Sequence, residues 1–193
     1  MKRALGSLLV LAAAAAILFA MQRNSPRYDE LTGPIPVAGR MGETVRTRLF
    51  DARVERVEFA RQLTYRSIAR EHVRTTSGLW AIVTVELAAR SHSVNVRQAG
   101  WVGPQGLQYL LSDRLALAPD QAPMLDPGLP RRVQLVFEIR PDQVGDATLL
   151  LSENMFVRLD SEARIALDQL PRAADGSVRI LDTYSLMPPK RSP

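Results

Sequence analysis

Two histidines, His72 and His92, are the only imidazoles in 193 residues, and there is no cysteine. Thiol catalysis, disulfides, cysteine-held zinc and a cysteine-linked lipid anchor are thereby excluded. A nucleophilic triad needs a base beside the nucleophile and an acid to orient that base. His92 sits in Arg90-Ser91-His92-Ser93. On an extended chain neighbouring side chains point to opposite faces, so neither serine is expected to meet its ring. His72 follows Glu71 in a polar stretch, and both histidines read as solvated. Asp142 with Asp146, and Asp120 with Asp126, offer oxygen ligands for calcium. Neither pair has the density of a calcium loop, and aspartates at turns commonly bond their own following backbone. Twenty acids supply carboxylate pairs of the kind glycoside hydrolysis uses, with nothing to select among them. Gly100-Trp101-Val102-Gly103 lacks the lysine and the helix of a phosphate-cradling loop. The expectation is no catalytic residue, no metal ligand, no cofactor, and a chain that is not an enzyme.

Trp101 and Tyr109 rise slightly above this background. They flank the turn Gly103-Pro104-Gln105-Gly106 and precede a long loop, 112–130. Loops at the ends of a sandwich are where binding commonly sits, and an aromatic there makes a platform for a ligand or a protein. The competing reading is that Trp101 caps the core, since large aromatics are mostly buried.

The elements that position these residues follow a period of two. Leu79-Trp80-Ala81-Ile82-Val83-Thr84-Val85-Glu86-Leu87 is apolar on both faces in its middle, as a central strand must be. Val133, Leu135, Phe137 and Ile139 alternate cleanly with more polar neighbours. Further strands are expected at Val45–Leu49, at Val54–Phe59 with a bulge, at Val94–Val96, at Leu107–Leu111 and at Ala147–Leu151. Met155, Val157 and Leu159 suggest another, and Val178 with Ile180 an edge strand after Asp175-Gly176. Residues 60–75 (ARQLTYRSIAREHVRT) read either as a loose helix on Leu63, Ile68 and Val73 or as a long polar crossover. About eight strands between turns give an all-β antiparallel sandwich over 42–184. In an immunoglobulin-like sandwich a tryptophan on the third strand packs between the sheets, and Trp80 is placed for that role.

Residues 4–21 (ALGSLLVLAAAAAILFAM) carry no charge and follow Met1-Lys2-Arg3. As a helix they span roughly 27 Å, close to a bilayer's hydrocarbon core. A cleaved signal peptide has the same basic start and apolar centre, but cutting after Ala20 puts the bulky Leu18 at the −3 position. An uncleaved signal-anchor over 1–21 is therefore favoured, inserted in the bacterial inner membrane through 4–21 with the following domain outside the cytoplasm. Residues 22–41 hold three prolines and two glycines and read as a stalk, with a short edge strand near Ile35 and Val37. Residues 185–193 are proline-rich and read as a disordered tail. The net charge is +5, from 25 basic residues against 20 acids. Acids interleave with arginines, as in Asp51-Ala52-Arg53-Val54-Glu55-Arg56, which is a solvated strand face and points away from nucleic acid.

The order of the strand Trp80–Glu86, Gly106-Leu107-Gln108-Tyr109, Leu125-Asp126-Pro127-Gly128 and Val133–Ile139 with Pro141 resembles a family of bacterial extracytoplasmic immunoglobulin-like domains of unknown function. The secreted mycobacterial immunoprotective antigen belongs to the same broad group. The resemblance covers about residues 40–152; Ala88-Ala89-Arg90-Ser91 departs from the asparagine-containing turn usual there. It implies a sandwich fold and an extracytoplasmic setting, and carries no catalytic residue. The resulting expectation is a membrane-anchored accessory module that contacts a protein partner in a cell-envelope assembly. The alternative is a module binding envelope ligand or glycan through Trp101 and Tyr109.

Overall fold

The structure is a computed structural model that describes residues 2–25, 32–67, 70–115, 124–154 and 158–186; the side chains at 2–5, 8–9 and 67 also lie outside the description. The chain divides into a unit ending at Gly33 and a unit beginning at Pro34.

The first unit holds helix α1, Lys2–Asn24. Among the described residues no helix is long and apolar enough to cross a membrane, so the spanning segment expected over 4–21 is not supported.

The second unit is a β-sandwich. Among the described residues twelve strands occur in chain order: β1 (Ile35–Arg40), β2 (Val45–Arg46), β3 (Phe50–Ser67), β4 (Arg70–Ala89), β5 (Val94–Asn95), β6 (Gln98–Val102), β7 (Gln108–Leu110), β8 (Met124–Leu125), β9 (Arg131–Ile139), β10 (Thr148–Ser152), β11 (Ser161–Ala166) and β12 (Ile180–Ser185). One sheet runs β1-β11-β10-β6-β7 and the other β12-β3-β4-β9, with β2 on β3; β5 and β8 form a small ribbon. Alternate residues of both sheets enclose the main core: Val54, Val57 and Phe59 with Ala81, Val83, Val85, Leu135 and Phe137 on one side, and Ala99, Trp101, Leu149, Leu151, Ala163 and Ile165 on the other.

The pairing is not wholly antiparallel. β1 pairs parallel to β11, and β12 parallel to β3. Partners so far apart in sequence are free of the tight-turn constraint that forces hairpins antiparallel. The expected stalk is also shorter than 22–41, because Ile35–Arg40 is β1 and Met41 is buried in the core. At the other end Ser185 closes β12 and Leu186 is buried, so neither belongs to a tail; 187–193 lie outside the described residues.

Residues 60–67 and 70–75 are neither helix nor crossover; 68 and 69 lie outside the described residues. The first stretch continues β3 and the second opens β4, in register from Gln62↔Thr75 to Ser67↔Arg70. Leu63, Ile68 and Val73 recur every five residues, which fits no helical face. Two irregularities shape this hairpin, one between Val54 and Arg56, the other between Ala60 and Gln62. At the second, Thr76-Ser77-Gly78-Leu79 of β4 oppose Arg61 alone. Such insertions flip the side-chain parity beyond them. Val57 and Phe59 face the main core, whereas Leu63 and Tyr65 join a second cluster with Ala60, Trp80, Ile82, Leu115, Val136 and Leu186. Trp80 therefore packs on the opposite face of its sheet from the inter-sheet position expected for it. The expected strand at Met155–Leu159 is displaced as well. Met155 and Val157 lie outside the described residues, Leu159 adopts a left-handed φ of 50°, and β11 begins at Ser161.

Candidate functional site

Trp101 is wholly enclosed. Its ring meets Phe59 edge-on at 5.9 Å and Phe137 at 6.2 Å, and its Nε1–H donates to the Gln143 carbonyl at 3.0 Å. A ring covered on this scale presents no face to a ligand. Tyr109 lies opposite Trp101 across β6 and β7 and packs partly buried against the same core. The structure thus brings the two together as packing, which is the core-capping alternative.

The other chemistry-bearing residues are dispersed. The Ser91 hydroxyl lies 3.0 Å from His92 Nδ1, contrary to the expectation that neighbouring side chains diverge. Residues 90–92 form a bend, not an extended strand, and that lets them converge. Asp126 accepts the Ser93 hydroxyl at 2.6 Å; among the described residues no carboxylate bonds the His92 ring. Asp142 accepts from Arg140 at 2.8 Å, Asp146 occupies a turn at φ 45°, and Asp120 lies outside the described residues. Among the described residues no three His, Asp or Glu side chains converge as metal ligands would.

A different group converges on the outer face of the β12-β3-β4-β9 sheet. Trp80 is fully buried there, and the Arg114 guanidinium lies 5.4 Å above the centre of its ring. Arg114 is carried on a short 3-10 turn, Asp113–Leu115, anchored by buried Leu115. Its Nη1 donates to both Glu138 oxygens at 3.0 and 3.1 Å, and its Nη2 to the Thr75 carbonyl at 3.0 Å. The Thr76 hydroxyl also donates to Glu138 and accepts the Gly78 amide. That arrangement depends on the β4 irregularity. A Cβ at Gly78 would lie 2.3 Å from the Ile139 carbonyl oxygen, so only glycine lets β4 approach β9 this closely.

The cluster extends along the hairpin. Tyr65 stacks on His72 with ring centres 5.1 Å apart, and Arg74 lies 5.9 Å over the Tyr65 ring while donating to the Arg114 carbonyl at 3.4 Å. Trp80 Nε1 and Tyr65 Oη are both buried and, among the described residues, have no hydrogen-bond partner. Buried polar groups are nearly always bonded, so each unpaired donor is costly and calls for a reason. Sequence reading missed this site because Arg114, Glu138, Trp80 and Tyr65 come from four separate segments. The one legible hint was the Thr76-Ser77-Gly78 step immediately before the apolar run that begins at Leu79.

Away from the cluster, Arg48 grips Asp160 with two bonds of 2.8 and 2.6 Å. The hydrogen bond from Arg48, more than the Ser161 amide, holds the Asp160 carboxyl below the usual carboxylate range. The Ser177 hydroxyl and amide likewise lower Asp175 in its exposed turn.

No family model and no curated protein matches the chain. Among solved structures, the yjhA protein of Bacillus subtilis is similar at a TM-score of 0.52 and 14% identity, over 67% of this chain and 99% of that one. That likeness is one of fold, a β-sandwich. An uncharacterized β-sandwich protein of Clostridium difficile 630 aligns at 0.45 and 14% identity, over 75% of this chain and 100% of that one. The secreted protein MPT63 of Mycobacterium tuberculosis aligns at 0.48 and 16%, over 70% and 98%.

Proposed function

We propose that this chain is a non-enzymatic, immunoglobulin-like accessory module, held at the bacterial cytoplasmic membrane by residues 4–21 with its domain on the extracytoplasmic side. There it contacts a protein of an envelope assembly through the outer-face cluster around Trp80 and Arg114. The observation that carries the contact is the Arg114 side chain, 44% exposed and held over the buried Trp80 ring by Glu138 and the Thr75 carbonyl. Arginine is among the residue types in which binding hot spots concentrate, and this one is presented in a fixed orientation at the surface.

The tether draws support from the 18 uncharged residues of 4–21 lying within a 23-residue helix. Val10, Leu11, Ile17, Leu18, Phe19 and Met21 are each more than 60% exposed, an apolar surface that water does not tolerate uncovered. Trp101 is enclosed in the core and Tyr109 packs partly buried against it, so no observation favours the glycan-binding alternative.

The test is chemical cross-linking in intact cells followed by capture of the tagged full-length chain. A specific adduct should form with the wild type and disappear with Arg114→Glu while circular dichroism stays that of a folded domain. An adduct unaffected by Arg114→Glu, or none at all, would refute the contact. Extraction of the chain from membranes by alkaline carbonate would refute the tether.

A further inference from the structure

We propose that the outer part of β3 and β4, residues 61–67 and 70–74, docks on the anionic headgroups of a phospholipid bilayer, an inference that rests on the membrane tether proposed above. The hairpin concentrates the domain's positive charge. Residues 34–186 hold 19 arginines against 18 acids, nearly neutral, whereas 61–74 alone hold four arginines against Glu71. The rest of the domain is therefore slightly acidic.

The pairing is equally uneven. Arg40, Arg48, Arg90, Arg114, Arg132, Arg140, Arg164 and Arg179 are held in ion pairs. Arg61, Arg66 and Arg70 are exposed and, among the described residues, make none, although Glu71 stands opposite Arg66 in the ladder. Arg74 is turned to Tyr65 and the Arg114 carbonyl.

Three unpaired guanidiniums suit a partner whose negative charge is spread over many phosphates, each able to accept two bonds from one fork. Single-stranded nucleic acid would require exposed aromatic platforms for its bases. The hairpin's aromatics are unavailable, since Tyr65 is buried and stacked on His72. The open face carries Thr64 and Val73 instead, the latter 48% exposed, small side chains that can settle at headgroup level. Beyond its second irregularity the hairpin projects roughly 20 Å of strand. Each arginine brought within a Debye length of an anionic surface raises the docked-to-free ratio about fivefold, and salt erases the gain.

The chain has no cysteine, so Val73→Cys gives a single labelling site on the hairpin and Ala174→Cys a control in an exposed turn. The full-length labelled chain is reconstituted into vesicles with a headgroup quencher. These are made of phosphatidylcholine alone or of equal parts phosphatidylcholine and phosphatidylglycerol. Quenching at position 73, and not at 174, should rise in the anionic vesicles and fall back at high salt. Combining Arg61→Gln, Arg66→Gln and Arg70→Gln should reduce it to the neutral-vesicle level, and the matching lysine substitutions should largely retain it. Equal quenching in the two lipids, or quenching indifferent to the glutamines, would overturn the proposal. Equal quenching in both lipids that polyglutamate nevertheless displaces would assign the hairpin to an acidic protein instead. Failure to float with pure phosphatidylcholine counts against the tether alone, because the hairpin is read from the difference between lipids.

Discussion

Replacing Arg114 with alanine removes three contacts at one point. The ion pair with Glu138 joins side chains that are 44% and 32% exposed, so solvent screens it to about 0.5–1 kcal/mol. The guanidinium over the buried Trp80 ring contributes about 1 kcal/mol, and the bond to the Thr75 carbonyl about 1 kcal/mol more. Neighbouring contacts are not additive, so the net loss is about 2 kcal/mol, or roughly 5–8 °C in Tm for a domain of this size. Fluorescence separates this from a general loosening. Trp80 and Trp101 are both fully buried, and the variant should expose only Trp80 to acrylamide. A Trp101→Phe background isolates that signal. Arg114→Lys should restore the charge without the planar stack and recover only part of the loss. A stability change under about 0.5 kcal/mol with Trp80 still shielded would show that the arginine does not cover the ring.

Gly78→Ala places a methyl group against the Ile139 carbonyl and should cost about 2–4 kcal/mol, read as a fall in the urea midpoint. Trp101→Ala removes a fully buried indole and orphans the Gln143 carbonyl, for a loss of about 4 kcal/mol in the same assay. If instead the domain stays stable and loses only a binding response, the core assignment of Trp101 is wrong. The folded-state pKa of Asp160 is depressed by Arg48, so its stabilisation is present above the ordinary carboxylate range near pH 4 and is lost as pH falls through the folded value. Asp160→Asn should accordingly be about 1 kcal/mol less stable than wild type at pH 7, with the difference closing in acid. Paired urea titrations across that range check the sign, and a gap that widens in acid would contradict it.

Period-two alternation located β4, β9 and β10, because both sheets bury one face and leave a readable pattern on the other. The bulge near Val54 was legible for the same reason. The outer half of the β3–β4 hairpin was not, since four opposing residues against one reverse the parity there and its buried face is completed by Leu115 and Leu186 from distant segments. β11 escaped because Ser161-Glu162-Ala163-Arg164 has small residues where a strand normally shows branched ones. Trp80 was recognised as buried and assigned to the wrong side of its sheet. A strand apolar on both faces announces burial and gives no sign of which face meets which layer. The Arg114–Glu138 bridge joins positions 24 apart through a turn that no local pattern specifies.

The sheet order also constrains when the domain can form. β1 pairs with β11, and β3 pairs on its other edge with β12, the last strand among the described residues. Each layer therefore stays open at one edge until β11 and β12 have been made, and closure over such separations is slow. An unfinished domain would therefore show strand edges with no partner, which is where strands of two unfinished chains would pair with each other.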